Sequence, residues 1–301
     1  MTPIANAPCS WGVLEFESTI SSASASQVLD EMSAAGYAGT ELGDWGFMPT
    51  DAVALRDEIV RRGLRLAGAF VPVALSRADA LDDGLERALR TARLMAAVAP
   101  GGHDAMLVLS DDNATVPART ARAGRITALD SLTADQWDAF AARAERIAGA
   151  VADETGLRTA FHHHCAGYVE TPEEIDELMA RTSAARLGLC LDTGHLMYGG
   201  GDPVTAIARY ADRIWHVHFK DCEPEVATRA RAEGWDYFTA VRHGIFCELG
   251  QGAVPFAAVR DALDRTGYAG WIVVEQDVLP SLGTPLESAR RNREYLRGLG
   301  F

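Results

Sequence analysis

"RTAFHHHCAGYVETPEEIDELMA", Arg158 to Ala180, holds one strand followed by one helix. In its first half an extended chain puts Phe161, His163 and Cys165 on one face and His162 and His164 on the other. The second half carries helix start signals in order: Thr171 as N-cap, Pro172 in the first turn, and Glu173 and Glu174 at the positive end of the dipole. A strand tipped with polar groups and followed by an amphipathic helix is the repeating unit of a parallel α/β fold.

The same unit recurs in both directions. Further strands are expected at Ile4 to Pro8, Gly39 to Leu42, Leu64 to Val71, Ala105 to Ser110, Leu187 to Asp192, Ile214 to Lys220 and Trp271 to Gln276, which with Arg158 to His164 makes eight. "ASQVLDEMSAAG" and "PFAAVRDALDRTG" have helical spacing and stop at a glycine, the residue that closes a helix in the left-handed conformation. "GYAGTELG" from Gly36 and "GYAGWIVVEQ" from Gly267 repeat one punctuation, a helix end running into a strand that bears a glutamate. No linker or low-complexity tract interrupts the alternation. The expectation is one domain over residues 1–301, an α/β (β/α)8 TIM barrel, a fold of typically about 250 residues whose chemistry lies at the C-terminal strand ends.

Composition narrows the partners. A chain of 301 residues, 48% hydrophobic and 23% charged, has the balance of a soluble protein with a large core. Its net charge of -14, with Lys and Arg scattered, opposes a phosphate backbone, so nucleic acid is excluded as a partner. Cys9, Cys165, Cys190, Cys222 and Cys247 are odd in number and form no C-x-x-C pair, which points away from a disulfide framework and towards a reducing cytoplasm. The first residues lack the pattern of a secretory signal, and no run reaches the roughly 18 apolar residues that span a bilayer. A cytoplasmic protein without membrane attachment is expected.

Polar groups gather at the strand ends: Glu41 on the second, His162 and His164 on the fifth, Asp192 on the sixth, His216, His218 and Lys220 on the seventh, Glu275 on the eighth. Such groups are costly at a barrel mouth unless they converge on water, a substrate or a metal. In "HVHFKD", alternation leaves Val217 and Phe219 for the helices and turns His216, His218 and Lys220 inward. The most economical metal set is His162, Asp192, His218 and Glu275. This mixed imidazole and carboxylate shell suits Mn first, then Co, Fe or Zn, with Mg less favoured. His195, three residues after Asp192, could touch metal or substrate, and Asp192 could instead be a plain N-cap. His163, His216 and His243 read as scaffold. Trp11 and Phe70 could wall a substrate pocket, and the glycines of "ELGQGAVPF", Glu248 to Phe256, could let backbone approach a ligand.

"APCSWG", "GYAGTELG", "LDTGH" and "HVHFKD", with a glutamate on the last strand, resemble the sugar phosphate isomerase/epimerase superfamily of xylose-isomerase-like barrels. "FHHHCAGYVETPEEIDELM" and "LDTGHLMYGGGDP" are most similar to its inosose (2-keto-myo-inositol) dehydratase branch. The resemblance implies a four-residue metal site falling on His162, Asp192, His218 and Glu275. Keto-sugar epimerases of the superfamily usually have a glutamate where this chain has His162, and there two glutamates shuttle protons on both faces of one carbon. Losing one of that pair argues against two-base epimerisation.

The function expected is therefore a divalent-metal-dependent lyase that dehydrates a keto-inositol or related keto-sugar through an enediolate-like intermediate. His164, Lys220, Glu41 and His195 are the candidates for acid and base, with roles undivided. Trp11, Phe70, His195 and Lys220 are candidates for substrate contact. Beside a cation the Lys220 ammonium would have a lowered pKa, or would pair with substrate oxygens. A metal-dependent isomerase or epimerase on a similar keto-polyol is the alternative. A barrel nuclease is opposed by the charge, and a non-catalytic sugar-binding subunit stays open. The expected partner is a small keto-polyol, with a homo-oligomer, dimer or tetramer, left open.

Overall fold

The computed structural model describes residues 2–12, 23–99, 104–277 and 283–301. Among the described residues ten strands run along the chain: β1 (Ile4–Asn6), β2 (Gly39–Glu41), β3 (Arg65–Val73), β4 (Met106–Asp111), β5 (Arg158–His162), β6 (Leu187–Asp192), β7 (Ile214–Phe219), β8 (Asp221–Cys222), β9 (Phe246–Cys247) and β10 (Ile272–Val274). Eight of them close into a parallel barrel in the order β1-β10-β7-β6-β5-β4-β3-β2. Each expected strand overlaps one barrel strand.

The helices around the barrel are α1 (Ala25–Ala35), α2 (Ala52–Val60), α3 (Leu81–Val98), α4 (Pro117–Arg122), α5 (Ala134–Thr155), α6 (Pro172–Arg181), α7 (Thr193–Tyr198), α8 (Pro203–Arg209), α9 (Pro224–Glu233), α10 (Tyr237–Arg242), α11 (Phe256–Thr266) and α12 (Pro285–Gly298). Gly36 and Gly267 close α1 and α11 at φ 87° and 71°, and the Thr171 side chain accepts from the Glu174 N–H to start α6. These are the boundaries that the glycine and capping signals predict.

Alternation sorts the strands as a barrel requires. Phe161 packs on Phe140 of α5 at 6.0 Å between ring centroids, and Phe219 on Phe256 of α11 at 5.0 Å. The inward face is filled in layers. Trp271 closes one level with Ala5, Ala67 and Val273, and Met106, Val108, Ala160 and Cys190 fill another. At the C-terminal ends the inward residues change to Glu41, His162, Asp192, His216 and His218, all buried.

One segment departs from the βα alternation. After β7 the chain makes the antiparallel β8–β9 pair and, between its two strands, α9 and α10. Their apolar faces form a separate core: Ala227, Ala230, Tyr237, Ala240, Ile245 and Phe246 pack with Cys165 and Ala166 of the loop after β5 and with Tyr198 at the end of α7. Arg125 Nη1 donates to the Ala230 and Trp235 carbonyls at 2.9 and 2.8 Å, and Arg231 Nη2 to the Tyr198 carbonyl at 3.0 Å. These bonds fasten the segment as a cap over this side of the barrel mouth.

Among the described residues, no helix is long and apolar enough to cross a membrane.

Candidate metal centre and active site

Asp192 ends β6, and one carboxylate oxygen does what a capping residue does: Oδ1 accepts from the His195 N–H at 2.7 Å and starts α7. The other, Oδ2, is buried without a hydrogen bond and faces His162 Nε2 at 3.7 Å, too far for one. The capping and ligand readings of Asp192 thus hold together on different oxygens.

His218 on β7 lies between two carboxylates. Its Nε2 is 3.1 Å from Glu41 Oε1, which also pairs with His216 Nε2 at 2.8 Å. Its Nδ1 lies 3.0 Å from Glu275 Oε1 without the alignment of a hydrogen bond. One ligand atom each from His162, Asp192, His218 and Glu275 lie within 4.8 Å of one another. Buried oxygen and nitrogen atoms turned on each other with no aligned proton between them are costly, and a cation relieves that cost. The four residues therefore fit a divalent ion.

Two other donor sets are as compact, His162 with Cys190 and His218, and Glu41 with His216 and His218. Burial pushes the Cys190 thiol up to about 12, away from the thiolate that ligates metal. Glu41 Oε1 is already engaged by both imidazoles. Burial alone would raise the Glu41 pKa, but His218 and His216 bring it down to about 2. Gly68 on β3 leaves room for this carboxylate, because a Cβ there would lie 3.0 Å from Glu41 Oε1 and from the Met106 carbonyl. Glu41 thus lies beneath the mouth, paired with the two β7 histidines from across the barrel.

The histidine run divides as alternation predicts, though β5 ends at His162 and His164 stands on a loop. That loop bends back through left-handed residues, Ala166 at φ 72° and Val169 at φ 68°, each costing about 1–2 kcal/mol. Buried bonds hold it. Glu170 Oε2 accepts from the Ala166 N–H at 3.0 Å, Asp111 Oδ2 from Tyr168 N–H at 3.0 Å, and Arg119 Nε donates to the Gly167 carbonyl at 2.8 Å. The Arg119 guanidinium is in turn clamped by both oxygens of Glu174, at 2.9 and 2.6 Å.

So braced, His164 lies against His195 with the rings tilted by 40° and 3.7 Å between centroids, and it lies 5.6 Å from His162. His164 Nδ1 pairs with the Cys165 carbonyl, which can only accept, so Nδ1 carries the proton and Nε2 a free lone pair. His195 has the opposite tautomer. Its Nδ1 accepts from the Cys165 N–H at 3.4 Å, leaving a buried Nε2–H without a partner. Burial holds His164 down to about 3 and His195 well below its ordinary value, helped by the neighbouring charges. Both rings are neutral at pH 7. His163 is fully buried, and its Nε2 accepts from the Asp192 N–H at 3.1 Å, steadying the β6 end.

Lys220 Nζ lies 3.1 Å from Glu275 Oε2 and 3.6 Å from Asp277 Oδ1. The lowered pKa expected of Lys220 belongs to an ammonium beside a bound cation, and the protein's own carboxylates act in the other direction. Burial favours the neutral amine, but Asp277, Glu275 and Asp192 outweigh it and hold the ammonium well above its usual value. Phe70 meets the His162 ring edge-on at 6.0 Å. Trp11 is placed differently: it is buried, and its indole N–H donates to Glu31 Oε2 of α1 at 2.6 Å. The glycines of "ELGQG" also serve another end. Gly250 and Gly252 N–H donate to Asp221 Oδ2 at 2.8 and 2.9 Å, so this backbone wraps a carboxylate of its own chain. His243 is exposed, stacked on Trp235.

Sequence reasoning missed Asp277, Phe246 and Tyr237. Asp277 could have been found, since it follows Glu275 by two residues. Phe246, 4.6 Å from the His195 ring, and Tyr237, 5.6 Å from the His164 ring, come from the cap, where no strand-end pattern marks them.

Comparison with known proteins places the chain. The family model described as xylose isomerase-like TIM barrel matches residues 29–299. An inosose dehydratase of Geobacillus kaustophilus is 34% identical over 270 residues, 90% of this chain and 85% of that protein. The rhizopine catabolism protein MocC of Rhizobium meliloti is 36% identical over 280 residues, 90% of this chain and 80% of that one. Among solved structures, an L-ribulose 3-epimerase superposes with TM-score 0.71 at 21% identity, covering 99% of this chain and 94% of that one. A probable 3-DHS dehydratase, AsbF of Bacillus anthracis, superposes with TM-score 0.68 at 15% identity, covering 99% of each chain. At such identities these structural likenesses speak for the fold alone. The family match and the curated relatives together make this chain a member of the xylose isomerase-like TIM barrel family.

Proposed function

We propose that this protein is a divalent-metal-dependent dehydratase acting on a keto-inositol or a closely related keto-sugar. The observation that carries the reading is the meeting of His162, Asp192, His218 and Glu275 within 4.8 Å, beside a neutral imidazole, His164, and an ammonium, Lys220. Relatives named inosose dehydratase, 34% identical over 90% of the chain, support the substrate class and the reaction. His162, in place of the second carboxylate that two-base epimerisation uses, supports dehydration over epimerisation.

The chemistry a bound ion supplies is Lewis-acid polarisation of the ketone oxygen, which acidifies the adjacent carbon, and Mn, Co, Fe or Zn suits this donor set. The chain's own groups do the rest. His164 Nε2, with its lone pair free, takes the proton from the carbon next to the ketone. Lys220, held as an ammonium, gives a proton to the hydroxyl on the next carbon as its C–O bond breaks. One C–H and one C–O bond are lost, a double bond conjugated with the ketone forms, and water leaves. Exchange with solvent returns the proton from His164 to Lys220. The His195 Nε2–H is a donor for a substrate hydroxyl, Phe70 a wall for the ring, and Glu41 acts through His218.

The test is to strip the protein with chelator, add keto-inositol, and restore Mn. The expected result is enone absorbance only with metal. Full activity in the stripped protein overturns the proposal.

A further inference from the structure

The cap brings one polar group to the site that the proposed chemistry leaves unused. Tyr237 is the first residue of α10, 7% exposed, with its ring 5.6 Å from His164 and 6.4 Å from His195. Its hydroxyl makes no hydrogen bond among the described residues. The oxygen is not one of the enclosed unpaired polar atoms of the protein, so its O–H reaches the solvent of the site and is open to a ligand, a use that phenylalanine would not offer.

The segment that carries Tyr237 is pinned on both sides. Arg125 holds the Trp235 carbonyl at 2.8 Å, and the Asp236 side chain caps α10 by accepting from the Thr239 N–H at 2.7 Å. Around the ring, Phe246 and Ala240 belong to the cap core and Cys165 and Ala166 to the loop after β5. The phenol is thus fixed before any ligand arrives, which lowers the entropy lost on binding. Burial first, and then the nearby Asp277, keep it protonated, so it offers a neutral O–H beside the Lys220 ammonium.

We propose that Tyr237 is a specificity-determining residue. Its hydroxyl hydrogen-bonds one particular hydroxyl of the polyol substrate, over the wall formed by His164 and His195. The substrate class rests on the dehydratase reading above, whereas the contact between Tyr237 and a polyol hydroxyl does not depend on the reaction. A site that provides a hydrogen bond discriminates against an analogue lacking the matching hydroxyl, because the buried group is then left unpaired.

The test is Tyr237→Phe in the metal-loaded, full-length protein, assayed on keto-inositol and on its single-deoxy analogues. The expected result is a fall of about tenfold in kcat/KM on the parent, carried by KM with kcat within threefold of wild type. One deoxy analogue should be handled equally by both proteins. A parent kcat/KM within twofold of wild type overturns the proposal, and so does an equal loss on every analogue, which would mean a displaced cap. If the wild type dehydrates no keto-inositol, the reaction reading fails separately. Calorimetric binding of keto-inositol then decides for Tyr237: about tenfold weaker binding in the variant upholds the contact, and equal affinity overturns it.

Discussion

Glu41→Gln removes a charge and almost nothing else. Glu41 Oε1 holds His216 Nε2 at 2.8 Å and His218 Nε2 at 3.1 Å, in a pocket where the carboxylate is buried and ionised. A glutamine oxygen can still accept from both rings, but each bond loses its charge assistance. Charge-assisted bonds are roughly twice as strong as neutral ones, which are worth about 1 kcal/mol, so two of them lose about 2 kcal/mol. If that energy orients His218 for an ion, the loss appears as metal affinity weaker by about 30-fold, within the 10–100-fold range typical of groups that hold a ligand from behind. The assay is a competition titration of Mn against a chelator of known affinity, with thermal unfolding as a check on the fold. Asp192→Asn, which alters one of the four proposed ligands, should lose more than Glu41→Gln. Affinity within twofold of wild type in Glu41→Gln refutes the orienting role. Loss of all binding in Glu41→Gln with binding kept in Asp192→Asn would move the ion to Glu41, His216 and His218.

Three further perturbations have defined outcomes. On the proposed roles, with His164 as base and outside the ligand set, His164→Gln should cut kcat by about 10²–10⁴-fold and leave Mn affinity unchanged in the same titration. Arg119→Met strips both bonds from buried Glu174 and one from the loop bearing His164, and should destabilise the fold by about 3–5 kcal/mol in urea unfolding. A loss under 1 kcal/mol would show that this clamp is not needed. Acid should also weaken the fold through His163, whose buried ring has its pKa lowered from 6.5 to about 3. The unfolded chain binds the extra proton between these values. Stability is therefore complete above pH 6.5 and falls by up to about 1.4 kcal/mol per pH unit as pH drops towards 3. His163→Phe should flatten that slope between pH 7 and 5, and an unchanged slope would exclude this ring as a source.

What was legible in the sequence is what strand alternation controls. His162, His218, Lys220 and Glu275 were readable because a polar residue every second place at successive strand ends has few explanations other than a shared site. The His run was divisible for the same reason: His162 joins the cluster of donor atoms that could hold an ion, and His163, turned the other way, accepts from the Asp192 N–H. Glu41 was visible as a strand-end carboxylate but not as the partner of two histidines from the opposite side of the barrel, since pairing across a barrel depends on closure, which no local pattern encodes. The cap was missed because its helices are short and bury their faces against Cys165, Ala166 and Tyr198, which are distant in sequence. Trp11 read as a pocket wall because it follows the first strand, and only the packing shows its N–H turned to Glu31.

Dehydration and epimerisation by one barrel part company at the mass of the product. The most direct measurement is mass spectrometry of the products formed from keto-inositol by the Mn-loaded protein, with the chelated protein alongside. The expected result is a product lighter by one water, formed only when metal is present. A product of unchanged mass with an inverted carbon, or a lighter product formed equally well by the chelated protein, would contradict metal-dependent dehydration at His162, Asp192, His218 and Glu275.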